Sequence, residues 1–368
     1  MRSLMIVVNI VLLQLLTFGL LVSLRWLVSP VVSLRLLPVG VGIFILSNAL
    51  LIGGLYLGMF RIAIGWLAVL WLGFLSAMIA VVLILIAKKL GLGTEFGYRL
   101  TAVASLVGVL ALSVYNAYTP VVRHLSLTLD KPMPAPVRLA VASDTHLGHL
   151  IGNRQLSKLA DILEREQVDV LLMPGDVMDD DTIAFERKAM ADNFAKVMQA
   201  PAVAAVASLG NHDLYRTPAY GAITAAITDS KAILLNDDVA VLDVAKDGAS
   251  TRLNVIGRFD DHYQERASTA SLVSRVDTAY PTIVLDHRPS EIESNVQLPI
   301  DLQVSGHTHN GQIFPANFIV ARMNRVGYGY EQINGTHVVV SSGFGFWGIP
   351  FRLGSQAEVW VIELTGRE

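Results

Sequence analysis

The chain opens with four long apolar stretches and then changes to short apolar runs separated by charged segments. The long stretches cover roughly residues 4–24, 37–59, 63–87 and 100–119. Each is long enough for the ~20 residues with which a helix crosses a bilayer. This pattern predicts an all-α region of four transmembrane helices within residues 1–120, and it disfavours a soluble helical bundle.

The first stretch resembles a signal peptide in its position. Its apolar run exceeds the ~7–15 residues of a signal-peptide core, and no small-x-small cleavage site precedes the next stretch, so we expect a retained helix. A few polar side chains interrupt the spans. They could line a path through the membrane, but hydrogen bonds between helices are the commoner reason for them and are favoured here. These residues are Asn9, Gln14, Asn48 and Asn116.

Four spans return the chain to the side on which it began, and basic residues indicate which side that is. The connections at 25–36 and 88–99 hold Arg25, Arg35, Lys88, Lys89 and Arg99, against Arg2, Arg61, Arg123 and Lys131 on the other side. We therefore expect a multi-pass protein of the plasma or inner membrane with an extracytoplasmic C-terminal domain.

From about residue 137 the apolar runs shorten and alternate with amphipathic segments. The order is βαβαβ at first and mostly β later, which predicts an α/β sandwich whose sheets are covered by helices. The domain boundaries are then 1–120 for the membrane region, 121–136 for a linker and 137–368 for the second domain. The predicted strands are VRLAVAS, DVLLMPG, AVAAVASLG, RLNVIG, PTIVLDH, LQVSG, HVVVSSG and EVWVIEL. The predicted helices are NRQLSKLADILEREQ, TIAFERKAMADNFAKVMQ, AYGAITAAITDS and the stretch around 264–278.

Composition adds two exclusions. Residues 1–120 carry seven basic residues and one acid, so a net charge of −3 for the whole chain leaves −9 for residues 121–368, which argues against a nucleic-acid partner. The chain has no cysteine, so any metal must be held by His, Asp, Asn or Glu.

Side chains suited to bind metal follow five of the predicted strands. The carboxyl ends of strands form the ligand crevice of α/β folds. Each motif alone could be a helix cap or a polar turn, but five in succession predict one shared site. In a strand, His307 and His309 would point to the same side and could face one metal. The candidates are Asp144 and His146 in SDTHLG, Asp176 in GDVMDDD, Asn211, His212 and Asp213 in GNHD, His287 in DHRP, and His307 and His309 in GHTHNG.

This ordered set resembles the signature of the calcineurin-like metallophosphoesterase superfamily. The segments SDTHLG, GHTHNGQIFP and NGTHVVVSSGFG, with Arg352 before AEVWVIEL, are similar to the membrane-associated branch that includes the bacterial YkuE and YaeI proteins. Two positions depart from that branch: Asn310 stands where a glycine is common, and Ser342 where an arginine is frequent.

The resemblance implies a four-layer α/β/β/α sandwich and a site for two divalent metal ions. Asp176 would bridge the ions, with Asp144, His146 and His309 on the first and Asn211, His287 and His307 on the second. Oxygen and imidazole ligands suit Mn, Fe or Zn. The implied reaction is hydrolysis of a phosphodiester, phosphomonoester or pyrophosphate by a metal-bridging hydroxide. His212 would serve as a general acid, and Asp213 would either orient it or cap a helix.

A hydrolase tethered to a bilayer meets lipids in two dimensions, so we expect a phosphorylated lipid or lipid-linked substrate and a role in lipid metabolism. A membrane scaffold or receptor with a non-catalytic phosphoesterase-like domain is the alternative, and a transporter is a weaker one. Such degenerate domains usually lose metal ligands, and none is missing here. The segment FGFWGIPF, 344–351, is either an apolar lip for the membrane or packing over the sheet. His149 and His262 could contact phosphate or be structural, while structural roles are favoured for His124 and His337.

Overall fold

The structure is a computed structural model, and it describes residues 2–30, 36–263 and 265–367. The chain divides into two compact units, Met1–Tyr115 and Asn116–Glu368. The boundary falls close to the end of the last long apolar helix.

The N-terminal unit is helical, as its apolar stretches predict. Four helical segments are long and apolar enough to cross a membrane: Ile10–Val28, Pro38–Tyr56, Phe60–Lys89 and Glu95–Tyr118. The helices are α1 (Arg2–Val28), α2 (Leu36–Asn48), a π-helical turn (Ala49–Gly53), α3 (Gly54–Tyr56), α4 (Phe60–Lys89) and α5 (Glu95–Tyr118).

The polar residues of the spans serve packing where their side chains are described. Gln14 Nε2 donates a hydrogen bond to Asn48 Oδ1 at 3.0 Å, which joins α1 to α2 as favoured from the sequence. Asn116 Nδ2 donates to the backbone carbonyl of Arg352 within the C-terminal unit. The side chain of Asn9 lies outside the described part of the structure.

The C-terminal unit contains two six-stranded sheets, ordered β1-β12-β2-β3-β4-β5 and β10-β11-β9-β8-β7-β6. The strands of the first sheet are β1 (Val121–Pro132), β2 (Val137–Val141), β3 (Val170–Pro174), β4 (Ala204–Ser208), β5 (Ile233–Leu234) and β12 (Glu358–Arg367). Those of the second sheet are β6 (Asp238–Lys246), β7 (Ala249–Gly257), β8 (Thr282–Leu285), β9 (Leu302–Ser305), β10 (Gly329–Ile333) and β11 (Thr336–Val340).

Helices cover the outer faces of both sheets, so the unit has four α/β/β/α layers and the predicted fold class is confirmed. Clusters of buried side chains join α6, α8 and α10 to the first sheet, and α11 and α12 to the second. The helices are α6 (Asn153–Arg165), α7 (Ile183–Arg187), α8 (Ala191–Gln199), α9 (Asn211–Leu214), α10 (Tyr220–Asp229), α11 (Thr269–Val273), α12 (Ile292–Asn295) and α13 (Ala316–Met323).

Strand β3 illustrates why these sequences form buried strands. Val170 and Leu172 belong to the cluster between the two sheets, whereas Leu171 and Met173 belong to the cluster beneath the helices. Successive side chains of a strand point to opposite faces, so a strand that is buried on both faces needs an uninterrupted apolar run. The same rule explains why the runs at β2, β4, β8 and β9 were recognisable from sequence.

The predicted linker, 121–136, is wrong as a structural assignment, because it contains β1. This strand pairs in parallel with β12 along the edge of the first sheet. Leu127 and Leu129 are buried in the cluster between the sheets, while the alternating residues Ser126, Thr128 and Asp130 are exposed. The alternation of period two in LSLTLD is the strand signal that the sequence reading overlooked.

Two predicted helices are shorter in the structure. The segment 182–199 forms α7 and α8, separated at Ala189 by a left-handed backbone with φ of 47°. The helix expected around 264–278 is reduced to α11, which begins after Ser268 caps its first turn by accepting from the Ser271 amide. The sequence reading also missed β5, β6 and β10.

Glu358 connects the edge strand to the rest of its sheet through a buried carboxylate. The side chain is fully buried and accepts hydrogen bonds from the Ser342 amide at 2.8 Å, Trp360 Nε1 at 2.8 Å and the Tyr328 hydroxyl at 3.0 Å. It also pairs with Arg123 of β1. Removing this carboxylate would leave several buried donors without a partner, which is costly.

Glu358→Ala is expected to lower the stability of the C-terminal unit by about 3 kcal/mol, since each orphaned buried donor costs about 1–3 kcal/mol. The unfolding midpoint of the detergent-solubilised protein, followed by tryptophan fluorescence, should fall by about 6–12 °C. Glu363→Ala is the matched control on the same strand, because Glu363 is half exposed and lies 3.6 Å from Arg138. Equal midpoints for the two variants would contradict the role given to Glu358.

Candidate metal centre

The candidate ligands lie in the loops that follow β2, β3, β4, β8 and β9. Five of them have left-handed backbones, with φ of 54° at Asp144, 44° at His146, 53° at Asp176, 67° at His307 and 49° at His309. Such values are uncommon for residues other than glycine, and they cluster at functional sites because the surrounding fold must hold them in place.

One cluster joins the loops after β2 and β9. Asp144, His146 and His309 are buried and their ligand atoms lie within 4.8 Å of one another. His146 Nε2 lies 3.2 Å from His309 Nε2, and His309 Nε2 lies 3.5 Å from Asp144 Oδ1. The Asp144 carboxylate is held by the Ser143 hydroxyl and by the backbone amide of His307.

A second cluster joins the loops after β3, β8 and β9. Its members Asp176, His287 and His307 likewise have ligand atoms within 4.8 Å of one another. His287 Nε2 lies 3.2 Å from Asp176 Oδ2 and 3.2 Å from Asn211 Oδ1, which brings the loop after β4 to the same point. His287 Nδ1 lies 2.8 Å from the Pro174 carbonyl, so this nitrogen donates and Nε2 is the free ligand atom.

Asp176 belongs to both clusters by distance. Its Oδ2 lies 3.2 Å from His287 Nε2 in the second cluster and 3.7 Å from His146 Nε2 in the first. Its Oδ1 accepts a hydrogen bond from the His212 amide at 2.8 Å. A single carboxylate between two groups of three ligands is the arrangement that two divalent ions share.

Burial keeps most of these imidazoles neutral, which is the form that binds metal. It lowers the pKa of His146 to about 3 and that of His307 to about 3, and it holds the pKa of His309 well below the usual value. Burial also lowers the pKa of His287, but the Asp176 carboxylate outweighs it and raises the pKa to about 10. Without metal, the protonated His287 imidazole therefore balances the negative charge of the Asp176 carboxylate. A bound metal cation would take over this role.

The donor set fits a pair of divalent cations on two further grounds. The buried Nδ1 of His146 has no hydrogen-bond partner within the described ranges, and its carboxylate neighbour Asp179 lies 4.0 Å away. The site also concentrates carboxylates in a buried region, which is costly unless cations balance them. Carboxylate, amide and imidazole ligands favour Mn, Fe or Zn over soft metals.

Arg352 constrains the tautomer of His309. Its Nη2 lies 3.0 Å from His309 Nδ1, and the guanidinium is fully buried among the carbonyls of Ser342 and Gly345. Because a guanidinium only donates, Nδ1 accepts here and the proton of the neutral imidazole lies on Nε2. Metal binding through Nε2 would require the proton to lie on Nδ1 instead, so the contact between Nδ1 and Arg352 would have to change when a metal binds.

The motif GHTHNG is a turn, since β9 ends at Ser305. His307 and His309 therefore do not share a strand face, and they join different clusters. Gly306 is required by space, because a Cβ there would lie 1.8 Å from Ser143 Oγ. Asn310 has φ of 48° and ψ of 40°, a left-handed conformation that asparagine tolerates better than most residues. This conformation is compatible with asparagine at a position where the family resemblance leads us to expect glycine.

His212 contacts Asp180 and not Asp213, which corrects the geometry expected from sequence. His212 Nδ1 lies 2.6 Å from Asp180 Oδ1. The Asp213 carboxylate accepts hydrogen bonds from the amides of Gly210, Val177 and Met178. Asp213 thus caps α9 and fixes the loop after β3, which was the alternative role considered for it.

Asp180 was missed as a separate functional residue although it lies within GDVMDDD. The run contains three successive aspartates, and their spacing alone does not indicate which of them reaches His212. The structure separates their contacts: Asp179 approaches His146, Asp180 pairs with His212, and Asp181 pairs with Arg216 at 2.8 Å.

The remaining histidines lie outside the two clusters. His124 pairs with Glu166, and His337 Nδ1 lies 2.9 Å from the Tyr330 hydroxyl, so both have structural contacts. His149 is exposed. His262 is exposed too, with its ring 5.3 Å from that of Tyr215, which in turn packs 4.9 Å from His212.

The structure also shows the surroundings of Ser342 and of the segment FGFWGIPF. Ser342 is buried, and its hydroxyl donates to the Gln356 carbonyl at 2.6 Å. The hydroxyl is therefore directed to the backbone and not to the two ligand clusters. In FGFWGIPF, Phe344 and Phe346 belong to the cluster beneath the helices of the first sheet. Trp347 and Phe351 are half-buried.

Comparison with known proteins agrees with this geometry. Residues 137–311 match the calcineurin-like phosphoesterase family. An uncharacterized metallophosphoesterase of Helicobacter pylori is 26% identical over 251 residues, which are 67% of this chain and 64% of that protein. One from Aquifex aeolicus is 27% identical over 277 residues, which are 72% of this chain and 98% of that protein.

A transmembrane protein with metallophosphoesterase domain from Bos taurus is 27% identical over 294 residues, which are 74% of this chain and 62% of the bovine protein. The matched region thus spans less than two thirds of the Helicobacter and bovine relatives. Similarity to the YkuE and YaeI branch stays a prediction. The four long apolar helices indicate a membrane protein, and residues 137–311 of the C-terminal unit match the calcineurin-like phosphoesterase family.

Proposed function

We propose that the C-terminal unit is a metal-dependent hydrolase of phosphoric esters. The observation that carries this proposal is the position of Asp176 between two ligand clusters, of which only His307 is half-buried and the other members are buried. When bound there, two divalent ions would supply Lewis acidity at phosphorus and a lowered pKa for a water molecule. Manganese, iron and zinc all suit the donors.

The protein's own contribution begins with orientation. The loops after five strands fix the ligands, and the left-handed backbones at Asp144, His146 and Asp176 set the direction of each side chain. Such preorganisation means that little reorganisation is needed when charge develops on the phosphoryl oxygens.

His212 is the proposed general acid for the departing oxygen. Burial lowers the pKa of its imidazole, but the hydrogen bond to Asp180 and the charge of Asp176 outweigh burial, and the pKa is raised. Because Asp180 holds Nδ1, the proton on Nε2 is the one available for transfer. Asp180 thereby acts as a positioning residue for His212.

A phosphorylated lipid or lipid-linked compound is the proposed substrate class. The support is that the same chain carries four apolar helices long enough to cross a bilayer. We propose that these helices form a multi-pass arrangement with the C-terminal unit on the extracytoplasmic side, because basic residues are more numerous in the connections at 25–36 and 88–99. A tethered site meets lipids of the same leaflet at high local concentration. Phosphodiesters, phosphomonoesters and pyrophosphates are all compatible with the donor set.

The competing proposal is a membrane scaffold whose phosphoesterase-like domain binds partners without catalysis. All seven predicted ligands are present, and none is replaced by an apolar residue. A scaffold would have no need for strained backbones at the ligand positions, since these are costly to maintain. The hydrolase is therefore favoured.

Asp176→Asn is expected to reduce bound metal and to lower hydrolysis of bis-p-nitrophenyl phosphate by at least about 100-fold, because it weakens both clusters at once. Metal content by mass spectrometry and initial rates in Mn²⁺ give the two readouts. Chelation of the parent protein should have the same effect on rate.

Asp181→Asn is the matched control for this change. Asp181 lies in the same loop, but its carboxylate contacts Arg216 and the Ile183 amide instead of the clusters. The Asp181→Asn variant should bind as much metal as the parent protein and hydrolyse the substrate at the same rate. A parent protein that binds no metal, together with an Asp176→Asn variant that matches it, would overturn the hydrolase proposal.

Asp180→Asn is expected to move the alkaline limb of the pH–rate profile to lower pH. The general acid must be protonated, so rate falls as pH rises through the pKa of His212, and removal of Asp180 takes away an interaction that raises this pKa. The measurement needs a phosphodiester with an alkyl leaving group, because p-nitrophenolate departs without protonation.

His212→Gln completes this test. It should lower the rate on the alkyl diester by about 100-fold or more, remove the alkaline limb and cost less on the p-nitrophenyl diester. If both substrates lose rate equally and the limb stays where it was, His212 is not the acid.

The proposed orientation can be tested because the chain has no cysteine. Thr228→Cys, at an exposed position of α10, should react with a membrane-impermeant maleimide in intact cells. Leu92→Cys, in the exposed connection between α4 and α5, should react only after permeabilisation. The reverse pattern would place the C-terminal unit in the cytoplasm.

A further inference from the structure

Helix α13 is the most exposed apolar element of the C-terminal unit outside the predicted membrane helices. It begins at Ala316, five residues after the turn that holds His309, and none of its residues is buried. Phe318 is 64% exposed, Ile319 57% and Met323 78%. Large apolar side chains grouped in this way on a folded domain mark an interaction surface.

The charge around this helix is unlike that of the rest of the unit. Residues 311–330 contain two arginines and no acid, whereas residues 121–368 carry a net charge of −9. Arg325 pairs with Glu293 and Glu331. Arg322 is exposed and has no ion-pair partner among the residues that the structure describes. The free cation lies one helical turn from Phe318, so it belongs to the apolar surface.

Two backbone hydrogen bonds and one side-chain hydrogen bond connect the segment before α13 to the last turn of α5. Phe314 N donates to the Leu353 carbonyl at 2.6 Å, and Leu353 N donates to the Gln312 carbonyl at 3.0 Å. The preceding residue, Arg352, accepts from Asn116 Nδ2 at 3.2 Å. All these residues lie within the unit Asn116–Glu368.

Asn116 itself lies in the last turn of α5, a helix that is long and apolar enough to cross a membrane. Two hydrogen bonds, from Asn116 to Arg352 and from Leu353 to Gln312, therefore connect the end of that helix to the segment that precedes α13. The surface on α13 therefore belongs to the same unit as the last turn of a helix that is apolar enough to cross a bilayer.

We propose that α13 lies in the lipid–water interface and binds the surface of an anionic bilayer. Phe318, Ile319 and Met323 would enter the boundary between headgroups and acyl chains, and Arg322 would pair with a lipid phosphate. A short helix with an apolar face and unpaired basic charge is suited to this position. A second copy of the chain is the alternative occupant, and the quenching experiment below distinguishes it from a bilayer.

Docking of α13 bears on the metal centre because the two are joined by a few residues. Gly311 ends the turn that carries His309, and α13 begins five residues later, at Ala316. The helix would hold this side of the centre against the headgroup layer. That consequence rests on the proposed hydrolase function, whereas the docking itself does not.

The test uses full-length protein in vesicles made of equal parts phosphatidylcholine and phosphatidylglycerol. Ile319→Cys and Met323→Cys, each labelled with an environment-sensitive fluorophore, should be quenched by nitroxide-bearing lipids and protected from aqueous iodide. Ala321→Cys is the matched control on the same helix. Ala321 is exposed and points about 200° away from Ile319 around the helix axis, so its label should remain open to iodide.

The charge is tested separately. Arg322→Gln in the Ile319→Cys background should lower the ratio of docked to undocked label about fivefold in the anionic vesicles, and should have no effect in phosphatidylcholine alone. An unfolding midpoint equal to the parent's establishes that each variant is folded.

Two results would overturn the proposal. In one, the labels at Ile319 and Ala321 are equally open to iodide and insensitive to nitroxide lipids. In the other, the Ile319 label is shielded from both quenchers, which would identify a protein partner such as a second copy. Neither readout involves hydrolysis, so an inactive enzyme with a docked α13 would contradict the proposed function alone.

Discussion

The C-terminal unit is organised around the balance of charge on Asp176. This buried carboxylate lies against His287 on one side and His146 on the other, and it accepts the His212 amide. A buried carboxylate is costly unless hydrogen bonds and positive charge surround it. Loops from five strands converge to meet that requirement, and the ligands for two cations are assembled as a result.

The same constraint explains why neighbouring acids have different roles. Asp213 is satisfied by three backbone amides and therefore stabilises the loops, even though it is adjacent to His212 in the sequence. Asp180 is partly exposed, and its carboxylate pairs with the His212 imidazole. Position in the fold, and not distance along the chain, decides which carboxylate supports the histidine.

The two units differ in how much of their structure the sequence predicts. Helix length and hydropathy are local properties, so the four apolar helices could be located from composition alone. Buried strands such as β3 were also recognised, because burial on both faces demands an apolar run. Strand β1 was not, because it is buried on one face only and its alternating pattern follows directly on a membrane helix. The exposure of α13 was equally hidden, since its sequence is as apolar as that of a packed helix.

By itself the sequence determined the fold class and the set of residues able to bind metal, because ligand chemistry is a property of residue type and strands can be located from local pattern. Only the tertiary structure decided how that set divides. His146 and His309 are 163 positions apart, and they meet because the strand order of two sheets brings their loops to one edge. His307 and His309 are two positions apart, and the left-handed backbone at both residues directs each to a different cluster. Contacts of this kind depend on the path of the chain in space, which no short motif contains.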